Sequence, residues 1–511
     1  MPAMRARPLS TAALVLGLAL LAVWRALCVV AGPDIDTDAY AHHMIARAIL
    51  ADPGDLAVHW VWLPFFHYAQ VPLVALGGTI QDVRWINVAL TAVLPAVVFA
   101  YVRRTAQVGT GGFTPDGTAL VASLLAALCP IGMQMGTTAQ PEPLFALLVL
   151  GVAIAFQERR HAVAAALLGA AVLLRYEAWA VLAAVAAALL VEEAWAARRS
   201  ARQVAGRRAW IVVAGPAALI VGWAALRRPV DGHWFGFLRD TSQFASDALR
   251  AQSGVGGGIA SVLHDLVYYP VVVAWRVLGA ALVMVPFGTA RTVRQQGARF
   301  VLVFVACLGF ISLTWLTRSS LGLDRHFVVV VPLYAISAAQ GIATVADLAA
   351  RVVRRRWTAF AARTVGSGLG ALVALAVVIG LALHLSVWMR FWRGAIERGW
   401  PDRVALGAYL RTLPRSSTIF CDEATLEILS GVDRTRFDRH WLDDPHTWEL
   451  VGRTAREQGA VYVATWSRKL RGHEHSGAVV FRAGEVAGLG LGSPEGVAVM
   501  RVLPDAPRAE R

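Results

Sequence analysis

Residues 9–43 read LSTAALVLGLALLAVWRALCVVAGPDIDTDAYAHH. The first part, residues 9–31, is an apolar run long enough to cross roughly 30 Å of hydrocarbon as one helix. The run is too long for the apolar part of a typical signal peptide, and it lacks a clear cleavage site of small residues. The stretch therefore predicts an uncleaved first membrane helix, followed at once by a polar loop with three aspartates.

The rest of the chain has the same apolar character. Of its 511 residues, 57% are hydrophobic and only 16% are charged, which is more apolar surface than a soluble protein of this length can bury. The predicted membrane spans are residues 9–31, 83–102, 118–134, 142–157, 161–174, 177–195, 209–226, 265–288, 299–317, 326–346 and 364–388. We therefore expect a mainly α-helical, polytopic membrane bundle with about eleven transmembrane helices.

The charge distribution predicts the orientation of this bundle. The net charge of +14 comes largely from arginines in short connections between apolar runs, a pattern of membrane proteins rather than of nucleic-acid binders. The arginine-rich connections are residues 1–8, 103–117, 158–160, 196–208, 289–298 and 347–363. Because such loops stay in the cytoplasm, we expect the N-terminus inside and the C-terminal part outside the inner membrane of a bacterium. The bilayer is an expected partner, and nucleic acid is not.

Two stretches are ambiguous on hydropathy alone. Residues 162–191 would form a helix of about 45 Å, too long for one crossing, so we expect two short helices that meet at Arg175-Tyr176-Glu177. Residues 60–80 contain Trp, Tyr and His among apolar residues. Counting them as a span would put the later arginine-rich loops outside, so we expect an interfacial helix within an outer loop at 32–82.

The composition changes near residue 389, where charged residues become frequent and apolar runs shorten to strand length. We expect strands at 417–421, 460–465 and 496–502, and helices at 402–413 and 446–458. Two domains are therefore predicted, a transmembrane domain at 1–388 and a small soluble α/β domain at 389–511. The spacing of the four cysteines predicts neither a disulfide framework nor a zinc site.

The loop after the first span carries the strongest candidates for chemistry, Asp34, Asp36 and Asp38. Carboxylates at alternate positions can hold a metal ion, or one can act as a general base whose pKa the others tune. Residues 39–50 have an amphipathic helical pattern, so Asp38 also suits the N-cap position. The alternative interpretation is that these acids are only a helix cap and solvated loop residues.

Further polar groups fall on the same predicted outer side. Glu142 opens the fourth span, where an acid also suits the helix dipole. Arg175 lies at the mouth of two short helices, at a depth where charged groups are candidates for function. Arg325, with Arg318 before it and His326 after it, could grip a phosphate. A headgroup contact or an interfacial ion pair is the alternative.

These residues, in this order, resemble the GT-C glycosyltransferases, and among them the branch of aminoarabinose transferases and protein O-mannosyltransferases. The resemblance covers about residues 30–350. It rests on five segments, DAYAHHMIAR (38–47), WLPFFHY (62–68), EPLF (142–145), LRYE (174–177) and DRHFVVVVPLY (324–334). Two departures stand out. Ala39 replaces the acid that often follows the catalytic aspartate, and the basic residue at 175 is arginine rather than lysine.

The resemblance implies transfer of a sugar from a polyprenyl-phosphate carrier to an acceptor outside the cytoplasm, with inversion of the anomeric centre. It implies Asp38 as the general base with support from Asp36. The implied ligands of the donor phosphate are Arg175, Arg325 and Arg318. The implied substrate contacts are Tyr40, His42, His43, Glu142 and His326. No cofactor is implied as required, and a divalent metal ion, magnesium or manganese, at Asp36 and Asp38 is compatible with the motif.

Two other functions compete with this interpretation. A transporter or flippase would place ionisable groups at mid-membrane and show repeated halves, whereas the charges here lie at helix ends and no repeat is visible in the sequence. A non-catalytic subunit of glycan assembly, whose soluble domain binds glycan, is the third hypothesis. It would be favoured if Asp38 proved dispensable.

Overall fold

The computed structural model describes residues 7–198, 207–252, 259–422, 424–438, 445–483 and 496–503. In chain order its α-helices are α1 (Arg7–Ala31), α2 (Thr37–Ala51), α3 (Phe65–Ala75), α4 (Ile80–Thr105), α5 (Pro115–Ala127), α6 (Pro130–Met135), α7 (Glu142–Gln157), α8 (His161–Val172), α9 (Glu177–Arg198), α10 (Ile211–Asp231), α11 (Gly236–Gln252), α12 (Ile259–Val267), α13 (Ala274–Leu278), α14 (Val285–Gln296), α15 (Ala298–Leu316), α16 (Val331–Arg354), α17 (Ala359–Arg398), α18 (Pro401–Thr412), α19 (Ala424–Ser430) and α20 (Pro445–Gln458). The predicted fold class, a polytopic helical bundle with a small C-terminal α/β domain, is confirmed.

The membrane-spanning character follows from helix length and composition. Within the described residues, eight helical segments are long and apolar enough to cross a bilayer. Three shorter apolar helices, α5, α7 and α8, accompany them. Each of the predicted spans overlaps one of these segments, so hydropathy alone located the helices of a multi-pass membrane protein.

Several spans are interrupted at positions that the sequence explains. The apolar stretch around Arg175 breaks into α8 and α9, as predicted, and residues 173–176 form the connection. The predicted span 118–134 divides at Pro130, which begins α6, because proline lacks the N–H that would continue the helix. The predicted span 265–288 lies in a continuous helical region that changes from α to π (Tyr268–Val273) and 3₁₀ (Gly279–Met284) before α14.

The α16 helix lies at the centre of the membrane unit, and the segment that contains it is buried over most of its length. It packs closely on α14 because two glycines face each other. A Cβ added to Gly288 would overlap the carbonyl oxygen of Ser337, and one added to Gly341 would overlap that of Met284. Small residues let helix backbones approach in this way in membranes. The 3₁₀ turn Asp324–Val330, which precedes α16, is therefore anchored to the best-packed helix.

The ambiguous stretch at 60–80 forms the short helix α3, which is too short to span a bilayer. The Tyr176 hydroxyl donates to the carbonyl oxygen of Val61 at 2.6 Å, and the Phe65 N–H donates to that of Leu173 at 2.9 Å. The segment before α3 is therefore fixed to the α8–α9 connection.

The C-terminal sheet has the strand order β2-β1-β3-β5-β4. The strands are β1 (Thr418–Cys421), β2 (Phe437–Asp438), β3 (Val461–Trp466), β4 (Gly477–Ala483) and β5 (Val497–Val502). The pairs β1–β2 and β1–β3 are parallel, whereas β3–β5 and β4–β5 are antiparallel. The three predicted strands correspond to β1, β3 and β5, and the two predicted helices to α18 and α20.

Both faces of this sheet are covered. One apolar core joins Ile419 and Val499 to Leu406 and Leu410 of α18. The other joins strand residues of the opposite face, such as Val463, to Val451 and Ala455 of α20. The alternation along each strand places successive residues in different cores.

The chain divides into two compact units. One comprises Met1–Val30 and Ile45–Trp392, and the other comprises Ala31–Met44 and Arg393–Arg511. The acidic loop thus belongs to the unit of the C-terminal sheet, whereas the sequence suggested the membrane domain for it. The predicted domain boundary at 388/389 falls inside α17.

Candidate active site

The acidic loop is ordered by hydrogen bonds from its own backbone. Asp34 Oδ1 accepts the N–H of Asp36 at 3.0 Å, and Asp36 Oδ1 accepts the N–H of Asp38 at 3.1 Å. Because α2 begins at Thr37, Asp36 is the capping residue and Asp38 lies in the first turn. The predicted capping role of Asp38 is therefore wrong. Asp36 and Asp38 are half-buried, whereas Asp34 is buried.

Three predicted substrate contacts lie on α2 and are buried. Tyr40 is 1% exposed, and His42 and His43 are each 4% exposed. The Tyr40 hydroxyl donates to the carbonyl oxygen of Asp34 at 3.0 Å. Tyr40 therefore stabilises the acidic loop by closing it onto α2.

An ion cluster in the membrane unit is centred on Arg175. Its Nη1 donates to Glu142 Oε1 at 2.7 Å, and its Nη2 donates to Glu177 Oε1 at 2.9 Å. The ring of Phe145 lies 5.8 Å from the guanidinium carbon. Burial lowers the pKa of Arg175, but the Glu177 and Glu142 carboxylates raise it by more. The net pKa therefore lies above the ordinary value. The guanidinium therefore stays charged.

Arg325 approaches the same carboxylate. Its Nε lies 3.5 Å from Glu142 Oε1, a distance too long for a strong hydrogen bond. Its neighbour His326 interacts electrostatically with Glu177. The sequence-predicted residues Glu142, Arg175 and Arg325 thus converge, together with Glu177 and His326.

Helix ends bring these groups together. Glu142 is the first residue of α7, and Glu177 is the first of α9. Carboxylates at these positions suit the positive end of a helix dipole, which explains their place but not the arginine that they share. Within the described residues, Glu142 Oε2 is buried and has no hydrogen-bond partner. A buried carboxylate oxygen without a partner is costly, so it is available to a donor group of a ligand.

Arg318 is engaged elsewhere. Its Nη2 donates to Asp265 Oδ2 at 2.5 Å, and its guanidinium carbon lies 4.7 Å from the ring centre of Trp315. Its backbone φ of 58° lies in the left-handed region. The described contacts thus place Arg318 in a pair with Asp265 and not at Glu142.

The connection that leads into Glu142 is held by buried polar residues that the sequence reasoning missed. Arg84 Nε donates to the carbonyl oxygen of Thr137 at 2.7 Å. Asn87 Nδ2 donates to those of Thr138 and Gln140 at 2.7 and 2.8 Å. The available signal was an arginine and an asparagine three residues apart within an apolar span, where polar groups are expensive.

A second cluster holds the segment before α3. Arg227 pairs with Asp231 at 2.6 Å and donates to the carbonyl oxygens of Leu56 and Trp60 at 2.7 and 3.0 Å. Beside it, His59 Nδ1 lies 2.8 Å from His67 Nδ1. Burial, with a smaller contribution from the positive charge of Arg227, lowers the pKa of His59 to about 4. His59 is therefore neutral near pH 7.

Metal ligation was an open expectation for Asp36 and Asp38. In the described part of the chain, no group of three or more His, Cys, Asp or Glu side chains could hold a metal ion. The carboxylate oxygens Asp34 Oδ1 and Asp36 Oδ1 accept backbone N–H groups instead. A metal ion at Asp36 and Asp38 therefore stays a prediction from the motif, and no catalytic step is assigned to one.

Two solved structures share the architecture over almost the whole chain. They are ArnT from Cupriavidus metallidurans bound to undecaprenyl phosphate and the same protein in the apo state. Each has a TM-score of 0.60 and covers 97% of this chain and 99% of its own. The chain has the ArnT fold. The sequence identities to ArnT are 14% and 13%, so the likeness concerns the fold.

The fold of ArnT, an aminoarabinose transferase of the GT-C class, is the one that the resemblance led us to expect. No protein-family model matches the sequence, and no curated protein matches it. The likeness to ArnT therefore lies in the course of the backbone rather than in overall sequence similarity.

Proposed function

We propose that this protein is a membrane glycosyltransferase that moves a sugar from a polyprenyl-phosphate donor to an acceptor outside the cytoplasm. One observation carries the proposal. Arg175 and Arg325 converge on Glu142, at the helix ends of a chain with the fold of ArnT, whose structure contains undecaprenyl phosphate. Paired guanidinium groups at helix ends suit the phosphate of a lipid whose tail lies in the bilayer.

The described contacts favour different roles for the two arginines. The two positive charges of the guanidinium groups balance the two negative charges of the carboxylates. An incoming phosphate therefore has to compete with a carboxylate for a guanidinium group. Arg175 makes close hydrogen bonds to Glu142 and Glu177, whereas Arg325 reaches Glu142 only at 3.5 Å. We therefore assign the phosphate to Arg325 and Arg175 together, with Arg175 also holding Glu142 in place. Arg318, which pairs with Asp265, is the weaker candidate.

The reaction is a single displacement. The acceptor hydroxyl oxygen attacks the anomeric carbon and forms the new glycosidic bond as the carbon–oxygen bond to phosphate breaks. The bonding electron pair leaves with the phosphate, whose charge Arg325 and Arg175 stabilise. The acceptor proton passes to the Asp38 carboxylate, which acts as general base. Attack opposite the leaving group inverts the anomeric centre.

Glu142 offers a contact to the sugar. Its Oε2 is buried and has no partner within the described residues, although Oε1 is shared by the arginines. A hydroxyl or amino group of the donor sugar could donate to it. Such a contact would give Glu142 Oε2 the hydrogen bond that it otherwise lacks.

The proposed reaction requires the site to face away from the cytoplasm, with the N-terminus inside. The arginine-rich connections support this orientation. Val404→Cys in the C-terminal unit and Val108→Cys in a predicted cytoplasmic loop test it, because both positions are exposed and the four native cysteines are buried. An impermeant thiol reagent added to intact cells should label Val404→Cys alone. Labelling of Val108→Cys alone would reverse the orientation.

The test of catalysis is Asp38→Asn. This variant keeps the shape of the side chain but removes the base, so turnover should fall by a factor on the order of 10²–10⁴ with normal folding. Undecaprenyl phosphate released from lipid-linked sugars of cell extracts, measured by mass spectrometry and normalised to folded protein, reports turnover.

Asp52→Asn is the matched control. Asp52 is an exposed acid directly after α2, within the predicted outer loop at 32–82, and this variant should keep normal turnover. Normal turnover of Asp38→Asn would remove Asp38 from the mechanism. Lipid movement without sugar transfer in the unmodified protein would favour a flippase instead.

A further inference from the structure

The acidic loop packs within the C-terminal unit. A Cβ added to Gly32 would lie 2.5 Å from the carbonyl oxygen of Ile396, so the loop backbone begins in direct contact with α17. Gly399, with a φ of +57°, turns the chain beside the ring of Pro33. Both glycines are needed for this approach, because a side chain at either position would be strained or would clash.

Tyr40 connects this loop to the turn between α17 and α18. Its ring centre lies 5.8 Å from that of Trp400, the residue just before α18. Tyr40 and Trp400 are 1% and 7% exposed. Aromatic pairs at this distance contribute roughly 0.5–1.5 kcal/mol beyond the area that they bury.

Trp400 is in turn fixed to the sheet by a stacked arginine. The guanidinium carbon of Arg403 lies 3.8 Å from the ring centre of Trp400 and 4.8 Å from that of Trp466, the last residue of β3. Arg403 is only 2% exposed. A guanidinium between two indole rings is a strong arrangement when solvent is excluded.

A continuous series of contacts therefore runs from β3 to the proposed base. It passes from Trp466 through Arg403 and Trp400 to Tyr40. The Tyr40 hydroxyl then holds the carbonyl of Asp34, and hydrogen bonds lead from Asp34 to Asp36 and from Asp36 to Asp38. All members of the series lie in one compact unit.

We propose that the C-terminal domain positions the catalytic loop, with Trp400, Arg403 and Tyr40 as positioning residues. The inference rests on the proposed function, in which Asp38 is the base. A base acts only when it lies within hydrogen-bond reach of the proton it takes. A displacement of about 1 Å can reduce the rate of an enzyme 10²-fold. The stack on β3 keeps the first turn of α2 in one place.

A double-mutant cycle tests this coupling. Trp400→Ala removes the ring that joins Tyr40 to Arg403, and turnover should fall about 10- to 100-fold with little change in the KM of the donor. In an Asp38→Asn background the same change should have almost no further effect, because residues that act through one group are not additive. Trp400→Phe, which keeps an aromatic ring, should recover most of the activity.

Hydrogen–deuterium exchange of residues 34–44 gives a readout that does not depend on catalysis. Trp400→Ala should speed exchange there, whereas Trp448→Ala should not. Trp448 is a partly buried tryptophan of the same domain that stacks on His473 at 4.1 Å, within the other core, and it controls for general destabilisation.

Equal losses from Trp400→Ala with and without Asp38, or unchanged exchange at 34–44, would overturn the positioning role. Normal turnover of Asp38→Asn with faster exchange at 34–44 in Trp400→Ala would instead refute the base and leave the contact between domain and loop in place. The two failures are therefore distinguishable.

Discussion

Arg175 and Glu142 are 33 residues apart in the chain, yet Arg175 Nη1 donates to Glu142 Oε1 at 2.7 Å. The pair joins the α8–α9 connection to the first residue of α7. Side-chain exposures of 15% and 3% mean that little water screens the two charges. The pair therefore has a structural as well as a proposed functional role.

Breaking this pair from the arginine side should destabilise the membrane unit. Arg175→Met leaves Glu142 and Glu177 as buried carboxylates without their cation, and removal of one partner of a buried pair costs about 3–5 kcal/mol. Glu142→Gln should cost less, since its amide oxygen can still accept from Arg175. Denaturant unfolding of the purified variants measures both. Equal costs would show that the negative charge of Glu142, and not only its ability to accept a hydrogen bond, is needed to hold Arg175.

Arg325 and Arg318 should differ in lipid binding. Arg325→Gln should weaken binding of undecaprenyl phosphate by roughly 10- to 100-fold, the value of a charge-assisted hydrogen bond. Arg318→Gln should change it less, because Arg318 is paired with Asp265. Binding of undecaprenyl phosphate to both variants by native mass spectrometry compares them. A larger loss in Arg318→Gln would reverse the assignment.

The contact between α14 and α16 should not tolerate a methyl group. Gly288→Ala would drive a Cβ into the carbonyl oxygen of Ser337, and overpacking of this kind costs about 1–3 kcal/mol or more. Gly309→Ala is the matched control, because a Cβ on this glycine of α15 meets no atom within 4 Å. Thermal unfolding should show a lower midpoint for Gly288→Ala only. A normal midpoint for this variant would mean that α14 and α16 can move apart without loss of stability.

Acid should weaken the cluster around His59. Its pKa falls from an ordinary value of 6.5 to about 4 in the folded protein. Between these values the unfolded chain binds the extra proton, so stability falls as the pH is lowered from 6.5 to 4 and levels off below. Thermal unfolding of wild type and His59→Gln across this range isolates the contribution, because other titrating groups are shared. Parallel pH profiles would show that His59 is not the cause.

The membrane spans could be predicted because the signal is local. The number of consecutive apolar residues decides whether a helix crosses the bilayer. The Arg-Tyr-Glu sequence at 175–177 correctly predicted where the long apolar run at 162–191 divides into two helices. Glu142, Arg175 and Arg325 were recognised one by one, because a charge at a helix end within an apolar chain is conspicuous. Their convergence on a single carboxylate depends on how distant helices pack.

Other parts of the structure have weak local signals. The two residues of β2 are too few for any strand pattern, and β2 exists because it pairs with β1. The Gly288–Gly341 approach depends on two glycines that lie more than fifty residues apart in the chain, on different helices. Trp400 and Arg403 look like ordinary residues at the start of a helix, and only the fold brings Tyr40 and Trp466 to them.

The unpaired Oε2 of Glu142 makes the thermal stability of the protein sensitive to a bound substrate. A carboxylate oxygen that is buried without a hydrogen-bond donor makes the ligand-free protein less stable than it could be. A ligand that supplies the missing hydrogen raises the melting temperature by an amount that grows with the ratio of its concentration to its Kd. A panel of lipid-linked sugars can therefore be ranked by thermal shift, before any acceptor is known, and Glu142→Gln should reduce the differences between them.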